Sequence, residues 1–289
     1  MGDMFLRLLI AAVAVAALWS VPSKAAQAPV TPRLYVFDGG VLESDPARYR
    51  LSAGEVAATQ LSIAAFLVAH PRGTLMWDSG AIADDSWTPT GEAVARRLVL
   101  SNAQDRRVTL RTTLAAQLAA SGFSPSSVTY FALSHYHWDH VANANAFAAA
   151  TWLVSRVERD AMLPATPPDP PQPSTFASLR DSKTVFVDGE HDVFGDGTVI
   201  ITSSPGHTPG HQILYVKLAN TGGVVLSGDL YHYPEERTLQ RLPVADNQAQ
   251  TQRSREALEA FLVKTGATLW IQHDLIAHRR LKKAPEYYD

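Results

Sequence analysis

"VTYFALSHYHWDH", residues 128–140, runs an apolar and aromatic segment straight into three histidines and an aspartate. Val128 to Leu133 reads as a short buried strand. A chain with ten histidines in 289 residues places three of them within the seven positions that follow. His135 and His137 stand two apart, so a helix would not put them on one face, whereas a tight loop lets both reach one ion. Asp139 and His140 then turn toward a neighbouring ion, and the strand before them supplies the rigid support such a cluster needs.

Four side chains do not complete two metal sites, and the remaining candidates follow the same grammar. "SSPGHTPGHQ" sets His207 in a Gly/Pro turn between strands, "LSGDL" ends a strand at Asp229, and "WIQHD" ends one at His273. Any one of these alone reads as a turn or capping group; together with the cluster they read as a metal centre.

The rest of the chain alternates sheet and helix. Strands are expected at 32–40, in a hairpin over 61–80 with "HPRG" at its turn, and at 151–155, 184–189, 198–207, 211–218, 222–229 and 268–274. Ser52 and Glu55 form a possible capping box for a helix at 53–68, against which a short helical turn followed by the hairpin is preferred. Residues 81–107 are polar and irregular, a loop or partial lid. Helices are expected at 107–123, ended by Gly122, at 142–150, and at 251–265, ended by Gly266. The segment 163–174 holds six prolines and reads as a loop. Two packed sheets with helices outside fit this order, as one domain over 26–289.

Composition narrows the function. A formal charge of −3 with 18% charged residues gives no electrostatic reason to expect a nucleic acid partner. The chain has no cysteine, so any metal is held by nitrogen and oxygen alone. Arg7, the apolar run "LLIAAVAVAALW" and the small residues "SKA" at 23–25 read as a secretory signal cut after Ala25, which predicts a periplasmic or secreted protein. The competing reading, a membrane anchor, needs about 20 apolar residues and the run is shorter. No later segment looks transmembrane.

On these residues the chain resembles the metallo-β-lactamase superfamily over most of its mature length, and within it the N-acyl homoserine lactonase-like dinuclear hydrolases, whose corresponding segment "GHTPGHQ" resembles. The resemblance implies an α+β fold, an αββα sandwich with a binuclear centre at one edge of its sheets. It implies His135, His137 and His207 at the first metal, Asp139, His140 and His273 at the second, and Asp229 bridging both. "DSG" at 78–80 is similar to the family's turn in which an aspartate, here Asp78, orients a ligand histidine from behind. Two departures stand out. Val141-Ala142-Asn143 follows the motif where paired glycines are frequent, and His232, flanked by Tyr231 and Tyr233, occupies the place of a substrate-facing tyrosine.

Two divalent ions, zinc first, lower the pKa of a shared water to give hydroxide near neutral pH and polarise a carbonyl. The implied reaction is lactone opening by that bridging hydroxide, probed first on N-acyl homoserine lactones. Asp139 orients the hydroxide and carries a proton, Asp229 sets the metal separation, and His232 or one of the tyrosines Tyr231 and Tyr233 supplies the leaving group's proton. The substrate is a small molecule with a hydrolysable carbonyl. Action on β-lactams, esters or phosphotriesters is the alternative within enzymes, and a non-catalytic metal-binding protein the alternative outside them. Trp138, Trp87 and Phe147 are candidates for an apolar pocket wall. His211 is expected to hydrogen-bond near the turn, and His70, His191 and His278 to be packing or surface residues. A homodimer pairing through the region before 107 is left open.

Overall fold

The computed structural model describes residues 28–99, 105–164 and 174–289. The expected signal segment lies outside them, as does most of the proline-rich stretch. One sheet contains β1 (Arg33–Glu43), β2 (Gln60–His70), β3 (Gly73–Trp77), β4 (Val94–Val99), β5 (Asp105–Leu110), β6 (Tyr130–Ala132), β7 (Thr151–Val154) and β8 (Thr184–Phe186). The other contains β9 (Glu190–Asp192), β10 (Val199–Ser203), β11 (Gln212–Leu218), β12 (Gly222–Leu226) and β13 (Thr268–Trp270). A terminal strand, β14 (Tyr287–Tyr288), pairs with β1. The strand orders are β4-β5-β1-β2-β3-β6-β7-β8 and β13-β12-β11-β10-β9. Helices are α1 (Leu114–Ala120), α2 (Trp138–Val141), α3 (Arg156–Met162), α4 (Pro234–Thr238), α5 (Gln248–Thr265) and α6 (Leu275–Arg280).

β2 shows why the layers form. It is buried from Leu61 to His70 with no polar face, the pattern of a strand covered on both sides. Successive side chains point to opposite faces. Ala64, Phe66 and Val68 pack against Ile201, Leu214, Val216 and Leu226 of the facing sheet, while Ala65 and Leu67 join Leu114, Leu118 and Met162 from α1 and α3. On the far side, Leu258 and Leu262 of α5 cover Ile213 and Val225. The result is helix, sheet, sheet, helix: the expected αββα sandwich.

Several local expectations need correction. The stretch 81–107 contains β4, which pairs antiparallel with β5. The helix expected from 107 starts at Leu114, where Thr113 caps it and Asp84 accepts from the Leu114 and Ala115 amides at 3.0 and 2.7 Å. The helix expected at 142–150 is one 3-10 turn, Ala144–Phe147. Asn143 donates to the Ser79 and Ile82 carbonyls, both at 2.9 Å, and this side-chain bonding holds the chain out of α geometry. Ser52 and Glu55 do pair, at 2.8 Å, but only a turn follows before β2.

Two parallel strand pairs orient the site. β3 and β6 run parallel, as do β12 and β13. The segments leaving their carboxyl ends carry Asp78, residues 134–140, Asp229 and His273, which meet at one edge of the sandwich.

Candidate metal centre

Asp78 anchors the histidine loop from behind. Its backbone is left-handed, φ 60°, a conformation aspartate tolerates better than most residues. Its carboxylate accepts from the Ser134 amide at 2.6 Å and hydroxyl at 2.9 Å, and from Gln272 at 2.7 Å, and lies 2.9 Å from His140 Nδ1. His137 keeps extended backbone, φ −65° and ψ 153°, before α2 begins. His135 and His137 therefore leave the strand on a loop, and Asp139 and His140 occupy one helical turn.

Buried Glu158 ties this loop to the turn holding His207. It accepts from the Tyr136 amide at 2.9 Å, the Thr208 hydroxyl at 2.8 Å and the Gly210 amide at 2.8 Å. Gly206 brings the same turn against α5: a Cβ there would lie 2.3 Å from Thr251 Oγ1. Asp246 then holds His207 Nδ1 at 3.0 Å.

The side chains converge on Asp229, which is 3% exposed. Its Oδ2 lies 3.5 Å from His135 Nε2, 3.3 Å from His207 Nε2 and 3.2 Å from His232 Nε2. Oδ1 lies 3.1 Å from His140 Nε2 and 3.0 Å from His273 Nε2. His137 Nδ1 is 2.8 Å from His207 Nε2, and Asp139 Oδ2 is 3.7 Å from His273 Nε2. One carboxylate thus faces two nitrogen groups with its two oxygens. The buried His135 Nε2, His140 Nε2 and Asp229 Oδ1 have no hydrogen-bond partner among the described residues. Leaving such atoms unpaired is costly, and a pair of divalent cations, one in each group, satisfies all three. His135, His137, His207 and Asp229 form one group able to hold an ion, and Asp139, His140 and His273 another. Nitrogen and carboxylate donors fit zinc.

The electrostatics match. Burial alone would raise Asp229, yet the surrounding His273, His140, His135 and His232 hold its carboxyl well below the usual range. Burial pushes His135 and His137 well below the usual histidine value. It acts the same way on His140 and His207, but Asp229 with Asp78 lifts His140 well above that value and Asp229 with Asp246 lifts His207. His211 is pushed by burial down to about 3 and accepts the Asp229 amide at 3.0 Å, fixing the backbone of the central carboxylate.

The sequence pattern of the metallo-β-lactamase superfamily matches residues 58–273, a span containing Asp78 and all seven residues of the two groups. The chain belongs to this superfamily. The N-acyl homoserine lactonase AttM of Azorhizobium caulinodans is 30% identical over 273 residues, covering 89% of this chain and 98% of that protein. AttM of Agrobacterium fabrum is 29% identical over 270 residues, with the same coverage of each. Among solved structures, a point mutant of Bacillus thuringiensis AiiA with N-decanoyl-L-homoserine bound at its active site superposes with a TM-score of 0.71. It is 22% identical and covers 88% of this chain and 98% of its own. AidC, a dizinc quorum-quenching lactonase, superposes with a TM-score of 0.62 at 19% identity, covering 89% and 94%. This superfamily member is closely related to the lactonase-like dinuclear hydrolases and is a metal-dependent hydrolase.

A cavity of about 730 Å³ opens over the centre. His137, Asp139, His207, Asp229, His232 and His273 reach it, as does Trp138. Tyr231 does not: its hydroxyl donates to Glu259 at 3.2 Å and its ring lies under Arg255, at 4.1 Å, in the α5 layer. Phe147 stacks on Phe131 beneath the first sheet, and Trp87 packs beside β4, so neither lines the cavity. Tyr49, Arg48, Arg106 and Asp246 line it unforeseen. The Asp45-Pro46 cap before Tyr49 was the one local signal, marking a tight turn just after β1.

Proposed function

We propose that this protein opens lactone rings, with N-acyl homoserine lactones as its substrate class. The observation that carries this reading is Asp229, whose two oxygens face separate nitrogen groups on the floor of a cavity large enough for a drug-sized ligand. The lactonase relatives, matched along nearly their whole length, direct it toward lactones. Two divalent ions bound there supply an activated water and a polarised carbonyl. Asp229 holds the two nitrogen groups at a fixed separation. Asp139, buried but open to the cavity, accepts a hydrogen bond from the attacking water and returns a proton to the departing alkoxide. Trp138 supplies apolar wall for an acyl chain. The N-terminal leader pattern supports export to the periplasm. Among the described residues, no helix is long and apolar enough to cross a membrane.

The test is a panel of an acyl lactone, a β-lactam, an aryl ester and a phosphotriester on the zinc-loaded chain. The lactone is expected to show the highest kcat/KM. A β-lactam or phosphotriester turned over faster than every lactone would replace this reading with a broader metallohydrolase.

A further inference from the structure

Four of the imidazoles whose Nε2 faces Asp229 have a hydrogen-bond partner behind them. His140 Nδ1 meets Asp78 at 2.9 Å, His207 Nδ1 meets Asp246 at 3.0 Å, His273 Nδ1 meets the Ser62 carbonyl at 2.6 Å, and His135 Nδ1 meets the Ser134 hydroxyl at 3.0 Å. Such a partner fixes the tautomer and leaves the other nitrogen for metal. His232 faces the same carboxylate, but its Nδ1 makes no hydrogen bond among the described residues. Its Nε2 is 3.2 Å from Asp229 Oδ2, its Nδ1 is 3.5 Å from Glu236 Oε2, and the ring is 3% exposed.

Glu236 is itself held in place. It accepts from the His232 and Tyr233 amides at 2.5 and 2.9 Å and pairs with Arg255 at 3.0 Å. Arg255, from α5, also donates to the Leu230 carbonyl at 2.8 Å. The His232 ring lies parallel to that of His273, centroids 5.5 Å apart, with Tyr49 on it at 4.3 Å. The ring reaches the cavity, but its Nε2 is aimed at the central carboxylate.

We propose that His232 is an eighth metal-ligand position, giving Nε2 to one of the two ions beside Asp229, in place of the proton-donor role its sequence position suggests. Ligand atoms of Asp229, His232 and His273 all lie within 4.8 Å of one another, a triad sharing His273 with the Asp139–His140 group. The inference rests on the two-metal reading above. An added neutral imidazole tightens that ion without adding charge.

The test uses the full chain, stripped of metal and titrated with Co²⁺, reading d–d absorption, and with Zn²⁺ against a chromophoric chelator. His232→Ala is expected to weaken one of the two ions by about tenfold or more and to change its d–d spectrum. Glu236→Gln is expected to weaken the same ion by less. Should either variant fail to fold by circular dichroism, a zinc-loaded crystal structure of the wild type decides, with His232 Nε2 expected about 2.0–2.1 Å from an ion. Wild-type affinities and spectrum in folded His232→Ala, or a His232 nitrogen beyond about 3 Å from both ions, overturns the assignment. If the wild type takes up no metal, the hydrolase reading falls with it. If it takes up two and opens lactones while His232→Ala leaves both ions unchanged, only the ligand assignment falls.

Discussion

Beneath and on the floor of the cavity His135, His140, Asp229 and His273 are each at most 3% exposed, and every one is tied to a second buried group. On the rim, Asp45, Arg48 and Val244 are exposed and belong to turns between elements. A buried polar network is costly to disturb because each lost partner leaves another group unpaired. A solvated turn has no such penalty. The floor therefore sets the chemistry, and the rim sets which molecules reach it.

Breaking the floor at its centre has the largest expected effect. Asp229→Ala removes the group shared by both nitrogen clusters, so both ions and several kcal/mol of transition-state stabilisation go together. Lactone turnover should fall on the order of 10³-fold or more, with metal content falling in parallel; retained turnover with full metal occupancy would remove Asp229 from its bridging place. Glu158→Ala tests the tie between the two ligand loops. Three donors lose their acceptor, and urea denaturation should show a loss of about 3–5 kcal/mol. A loss under about 1 kcal/mol would mean water replaces the carboxylate there.

One step out from the ions, Asp78→Asn and Asp246→Asn keep shape and drop charge behind His140 and His207. Each should weaken metal binding by about 10–100-fold in chelator competition. Proton competition sharpens the same point. In the metal-free protein His140 and His207 keep their protons above the ordinary histidine range, because nearby carboxylates outweigh burial. A metal must displace those protons. Apparent affinity should therefore climb as pH rises from about 6.5 through the raised values and then level. A flat profile between about pH 6 and 9 would contradict those raised values.

The rim should respond least. Val244, 61% exposed at the cavity mouth, is placed to meet an acyl chain. Val244→Asp should raise KM for long-chain lactones by a few-fold, about 1 kcal/mol of apolar contact, with kcat and stability nearly unchanged. An equal effect on short and long chains would place the acyl chain elsewhere.

The same division governs what the sequence could disclose. His135, His137, Asp139 and His140 sit within six positions behind an apolar strand, so local chemistry displayed them. His207, Asp229 and His273 each follow a strand too. Glu158 was hidden because a glutamate in a helix reads as a solvated face; only the tertiary fold brings the Tyr136 and Gly210 amides to it. Tyr231 and Tyr49 exchanged places for a similar reason. Which tyrosine enters the cavity depends on Arg255 of α5 drawing Tyr231 into the opposite layer. The end of β5 and the start of α1 were run together by Leu110, Leu114 and Leu118, whose helical spacing spans both.

The most direct measurement is metal content taken alongside lactone hydrolysis on the same purified full-length sample, before and after chelation. About two divalent ions per chain are expected, with hydrolysis lost on their removal and restored by zinc. A fully folded sample that holds no metal even after incubation with zinc, or that opens lactones undiminished once stripped, would contradict a paired-ion centre around Asp229.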